Sequence, residues 1–162
     1  MEKISEKIEK VVVHSGLGKM SQQAQFKDKL LPEVLRELAT ITGQKPAVRQ
    51  AKKSIAGFKT RVGDIIGAQT TLRGEKMDHF LIRLLNFAIP RVKDFRGIDE
   101  KNVDHSGNLN IGLKEQYVFP ETNMETSKVT FGIQVTIVPK TKNREQAVDL
   151  YRSIGVPFKH KK

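Results

Sequence analysis

Residues 129–137 alternate without a break. Val129, Phe131, Ile133, Val135 and Ile137 are apolar, while Thr130, Gly132, Gln134 and Thr136 are not. A strand with this period of two buries one face and leaves the other polar. Leu109, Ile111 and Leu113 alternate in the same way with Asn108, Asn110 and Gly112. Strands covered on both sides would read as continuous apolar runs, so any covering helices belong on one face only. Three helical stripes are available for that role. Met77, Phe80, Leu81, Leu84, Leu85 and Ala88 follow a helical period and predict a helix from about Glu75 to Ile89, ended by Pro90. Leu31, Val34, Leu35, Leu38 and Ile41, with Gly43 as C-cap, predict a helix over about 27–42. Pro32 either kinks that helix or marks its first turn. Asn143 caps a third, with Ala147, Leu150, Tyr151 and Ile154 on one face and Gly155 at its end. Further strands are expected at about 7–14, 45–51 and 68–73, from β-branched runs and Gly punctuation. The fold class is therefore α+β: a mostly antiparallel five-stranded sheet with helices packed on one face.

The 162 residues suit one domain, 1–162, whose N-terminal half (1–56) and C-terminal half (57–162) share the sheet. Lys and Arg number 29 against 18 Asp and Glu, a formal net charge of +11. A small domain this basic implies a polyanionic partner, nucleic acid first and an anionic membrane surface second. The chain has no Cys, which excludes a disulfide framework, thiolate metal sites and a cysteine nucleophile. No apolar run is long enough to cross a membrane, and MEKISEKIEK does not read as a signal peptide. His14, His79, His105 and His160 are scattered, without metal-ligand spacing. The run Gly16-Leu17-Gly18-Lys19 satisfies neither a Walker A nor a dinucleotide-binding spacing, and reads as a turn. No enzymatic constellation, cofactor, metal or small-molecule substrate is expected.

With apolar positions turned to the helices, the opposite face presents Lys10, His14, Arg49, Gln69, Thr71, Arg73, Asn108, Asn110, Gln134 and Thr136. These side chains offer hydrogen bonds and positive charge. The face has no aromatic residue to stack bases, which favours a structured RNA over a single strand. From Leu38 to Gly63 there is no acidic residue, while Lys45, Arg49, Lys52, Lys53, Lys59 and Arg61 are basic. The part from Lys52 to Gly67 is expected to protrude as a hairpin whose paired halves of about eight residues would reach roughly 25 Å. Apolar Ile55, Ala56 and Phe58 at its tip point to a partner there.

The stretch GQKPAVRQAKKSIAGFKTRVGDIIGAQTTLRGEKM, the later RVKDFRG and GNLNIGLKEQYVFPE, and the terminal GVPFKHKK resemble the uL5 family, large-subunit ribosomal protein five, of the bacterial or organellar type. The resemblance runs the length of the chain. It implies a structural protein of a cytoplasmic ribosome that binds 5S rRNA and seats it in the central protuberance, beside large-subunit rRNA and neighbouring proteins. It also implies an RNA-recognition-module-like sheet. Carried over by position, its sheet-side RNA contacts fall on His14, Gln44 and Thr71, with His14 standing where the family usually has Asn. Lys52, Lys53, Ser54, Ile55, Ala56, Gly57 and Phe58 match the loop that approaches P-site tRNA. Glu115, Glu121 and Glu125 lie in a segment matching the intersubunit bridge to a small-subunit head protein. The lead into the first strand is shorter than the family's, and the Lys19–Lys27 loop is longer. Two readings stay open beside this one: a general structured-RNA-binding or annealing protein, and an RNA-modifying enzyme.

Overall fold

A computed structural model describes residues 6–159. Its five strands are β1 (Ile8–Gly16), β2 (Ala47–Gln50), β3 (Ile65–Leu72), β4 (Leu109–Leu113) and β5 (Ile133–Pro139). They form one sheet in the order β2-β3-β1-β5-β4, with every neighbouring pair antiparallel. The helices are α1 (Leu31–Thr42), α2 (Gly74–Arg83) and α3 (Arg144–Ser153). The expected architecture is the observed one.

Several boundaries moved, each for a local reason. Pro32 stands in the first turn of α1, where a proline's missing N–H is tolerated. The residues before it, Phe26–Leu30, form a wide π-type turn that starts from a left-handed Gln25. Gly43 ends α1 at φ 68°, a conformation that glycine adopts without strain. After Arg83 the α2 rod continues through a wide turn (Leu84–Ala88) and a tight one (Ile89–Arg91) that holds Pro90. Its stripe is buried as expected at Met77, Phe80, Leu81, Leu84 and Ala88, with Leu85 half-buried. Full burial of each large apolar side chain contributes about 1.5–3 kcal/mol. Phe80 stacks on Phe119 with ring centroids 5.9 Å apart.

One hydrophobic cluster joins the inward faces of β1, β3, β4 and β5 to all three helices. Tyr151 of α3 is fully buried, its hydroxyl 2.7 Å from the Gly107 carbonyl and 3.0 Å from that of Ile137. At Gly67 the β1 and β3 backbones approach so closely that a Cβ would lie 2.9 Å from the Ser15 carbonyl oxygen.

The alternation that begins at Val129 does not begin a strand there. Val129 and Phe131 are buried, but ladder pairing starts only at Ile133. The side chain of Gln116, itself fully buried, takes the place of the missing ladder. Its Nε2 donates to the Val129 carbonyl at 2.5 Å, and its Oε1 accepts from the Phe131 N–H at 3.0 Å. The same amide donates to buried Glu37 of α1 at 3.0 Å, and the Ser127 hydroxyl donates to the other Glu37 oxygen. A single side chain thus ties α1, the 115–127 segment and the entry to β5 together.

Candidate nucleic-acid interface

The register of the sheet decides which side chains share the open face. Opposite pairs run Asn110–Thr136–Val12–Thr71 in one row and Gly112–Gln134–His14–Gln69–Ala47 in the next. Lys10 lies two positions before Val12 on the same strand, across from Val138, and Arg73 follows Thr71 beyond the end of β3. Lys10, His14, Gln69, Thr71, Asn110, Gln134 and Thr136 are therefore brought onto one surface, as their alternation predicts. Val12 and Val138 are half-exposed there too, so the face is less uniformly polar than the sequence suggests.

Internal hydrogen bonds fix part of this lattice. The Arg49 Nε donates to the Gln69 Oε1 at 3.1 Å, linking β2 to β3. The Thr136 hydroxyl donates to the Asn110 Oδ1 at 2.7 Å. Gln44 lies just before β2, where the edge ladder has ended, and its Nε2 donates to the Thr71 carbonyl at 3.2 Å. Its amide nitrogen is thus partly committed, while its carbonyl oxygen stays available. Asn108 belongs to a different job: its Nδ2 and N–H both bond the Asp104 carboxylate in the turn before β4. Partial burial pushes the His14 imidazole below its ordinary pKa, so near neutral pH it presents one donor and one acceptor. Acid is not wholly absent: the Glu9 carboxylate sits 3.3 Å from the Lys10 ammonium and offsets charge at that corner.

The basic segment after β2 is a two-tier loop, shorter than the two paired eight-residue halves expected. β3 begins three residues earlier than predicted, at Ile65, and so absorbs part of the segment. Near its base Ala51 pairs with Gly63 and Asp64, the Ala51 N–H donating to the Asp64 carbonyl at 2.8 Å. At the tip Ile55 and Thr60 form one bridge around a tight turn at Ala56–Phe58. The Ser54 hydroxyl accepts from the Val62 N–H, so Ser54 serves the loop itself. Lys52 and Lys53 are exposed, and so are Ile55 (49%) and Phe58 (72%). The loop does not stand free. Gln22, from the segment after β1, donates its Nε2 to the Phe58 carbonyl at 3.0 Å. Between the two segments lies a cavity of about 700 Å³. Nothing in the sequence spacing pointed to Gln22 or to this cavity, since they are joined only by the fold.

The three glutamates of the 115–127 segment do not behave alike. Glu115 and Glu125 are exposed. Glu121 forms an ion pair with Arg83 of α2, whose guanidinium also donates to the Ile41 carbonyl at 3.0 Å. Glu121 therefore helps hold the segment on the helices. His160, Lys161 and Lys162, the rest of the basic tail, lie outside the described residues.

Comparison with known families accounts for nearly the whole chain. Residues 2–61 match the family described as "Ribosomal protein L5", and residues 65–158 match the C-terminus of the same ribosomal family. The chain belongs to the uL5 family. It is 47% identical over 154 residues to the large ribosomal subunit protein uL5 of Synechococcus sp. (strain RCC307), covering 95% of this chain and 84% of that protein. With the uL5 protein of Halothermothrix orenii it shares 44% identity over 152 residues, covering 94% and 83%, and with that of Geobacter sulfurreducens 47% over 154 residues, covering 95% and 84%. As a uL5 protein the chain is a structural component of the large ribosomal subunit and not an enzyme. Its polyanionic partner is ribosomal RNA, whose phosphates account for its excess positive charge.

Proposed function

We propose that this uL5 protein binds 5S rRNA through the open face of its sheet and seats it in the central protuberance. The supporting observation is the register itself, which sets Thr71, His14, Gln69 and Gln134 side by side with Lys10, Arg49 and Arg73 around them. Hydrogen-bonding groups on rigid strands fix the register of a structured RNA, while the cations neutralise its phosphates. No aromatic side chain stands in either row of the face, which suits groove edges and 2′-hydroxyls better than stacked single strands. Gln44 takes part through its free amide oxygen. The loop from Lys52 to Phe58 meets P-site tRNA, and Glu115 and Glu125 face a small-subunit head protein across the subunit interface. Glu121 acts in that bridge by position, through its pair with Arg83.

Titration of the purified protein with 5S rRNA and with an unrelated structured RNA of equal length tests the reading. Affinity for 5S rRNA is expected to exceed the other and to fall by about 10³–10⁵ between 50 and 200 mM salt, as for roughly 6–10 phosphate contacts. Equal affinities would favour a general annealing protein instead. Replacing Lys52 and Lys53 by Ala is expected to weaken tRNA on the ribosome and leave most 5S affinity intact. Collapse of 5S binding in that variant would show the loop assigned to the wrong RNA.

A further inference from the structure

The cavity between the basic loop and the segment after β1 has an unusual composition. Ile55, Phe58 and Ile66 form apolar walls, and all three are solvent-exposed. Lys19, Lys52 and Lys53 also line it, and no carboxylate does. Gly16 and Gly18 contribute bare backbone to the lining, beside Gln22, Ala51 and Thr60.

Those two glycines have no structural reason visible in the protein. Neither adopts a left-handed φ, so the backbone there does not demand glycine. A Cβ on either would meet no atom within 4 Å, so no close approach demands it. Gly67, whose Cβ would press on Ser15, shows what a packing requirement looks like in this fold. What a side chain at Gly16 or Gly18 would occupy is the cavity. Exposed Phe58 and Ile55 cost solubility unless something covers them, and the Gln22 bond to the Phe58 carbonyl holds the tip in place over the space.

We propose that this cavity receives one unstacked nucleotide of an RNA partner. Its base lies against Phe58, Ile55 and Ile66 over the glycine floor, and its phosphate is met by Lys19, Lys52 and Lys53. Apolar walls fit the π-face of a base but not a phosphate. Lysines without carboxylates fit the phosphate and repel a cation, while an uncharged apolar peptide would leave their charge unmatched. The sheet face binds folded RNA without stacking, whereas this pocket supplies a stacking contact elsewhere on the molecule. The proposal rests on the reading that the loop tip faces RNA, but not on which RNA it is.

The test uses the purified full chain, isotope-labelled for NMR, with adenosine 5′-monophosphate as probe and inorganic phosphate as control. AMP is expected to shift the Gly16 and Gly18 amides, the Ile55 and Ile66 methyls and the Phe58 ring, while phosphate perturbs the lysines alone. Gly18→Leu should fill the pocket and cut AMP affinity about tenfold, the scale of one base–aromatic stack, with the melting temperature and 5S affinity kept. Phe58→Ala, at an exposed tip, provides a second variant with the same expected loss. Shifts that phosphate reproduces, or AMP affinity unchanged in both variants, would overturn the pocket. Because Lys52 and Lys53 also line the pocket, Gly18→Leu, which leaves both lysines in place, separates the readings: unchanged AMP affinity there overturns the pocket alone, while intact tRNA positioning in the Lys52/Lys53 variant overturns only the loop's assignment to tRNA.

Discussion

Replacing Gln116 by Ala should destabilise the protein by about 3–5 kcal/mol. The side chain is fully buried and three of its contacts matter. The Phe131 N–H donates to Gln116 Oε1 at 3.0 Å, and the variant removes this acceptor from a buried backbone group. One oxygen of buried Glu37 loses its amide donor, although Ser127 still reaches the other. The Val129 carbonyl is the least affected, because the Tyr117 hydroxyl also reaches it, at 3.2 Å. Two groups left wanting at about 1–3 kcal/mol each, plus the space left by a buried side chain, give the total. For a domain of this size each kcal/mol shifts the melting temperature by about 2–4 °C, so a fall of about 6–20 °C is expected. Urea unfolding followed by circular dichroism measures the free energy, and calorimetry the midpoint. Gln116→Met keeps the volume and removes the hydrogen bonds, which separates polar satisfaction from packing. If the Met variant lies within about 1 kcal/mol of the parent, the amide is only filler and the network argument is wrong. Affinity for 5S rRNA, measured well below the melting point, should stay the same in both variants, because no open-face residue is touched.

Two further outcomes follow from the geometry. Because burial lowers the His14 pKa below its unfolded value of 6.5, its stability contribution is fully present above pH 6.5 and is lost as pH falls toward the folded pKa. His14→Asn should therefore lose less stability than the parent between pH 7.5 and 5.5, as read from urea midpoints; equal losses would refute this. Gly67→Ala should cost about 1–3 kcal/mol, since the new Cβ lies 2.9 Å from a backbone oxygen that can yield only if β1 and β3 part. A neutral or raised urea midpoint would mean the strands separate there at no cost.

Periodicity placed the helices and most strands well because it depends on local sequence and one burial direction. The stripe from Met77 to Ala88 lies in the core along its length, and the alternation in β4 sets Asn110 outward. Where the prediction slipped, a contact distant in sequence had intervened. Val129 and Phe131 have the pattern of a strand, and their burial honours it. Their main chain is nevertheless satisfied by Gln116, more than ten residues earlier, so no ladder forms. Glu121 carries a charge that suits a partner surface, yet its partner is Arg83, 38 residues away in sequence. Asn108 matches the polar face by alternation but is taken by Asp104 in the preceding turn.

The sequence by itself determined the one-sided sheet, the acid-free basic segment and, through its motifs, membership of the uL5 family. Each of these is written in residue type and spacing, which need no knowledge of what folds beside them. Only the tertiary structure decided which cations gather, which carboxylates are already paired, and that the loop tip closes with Gln22 over a pocket floored by Gly16 and Gly18. The reason is physical: charge pairing, burial and cavities depend on distances between segments remote in the chain, and the strand order β2-β3-β1-β5-β4 sets those distances.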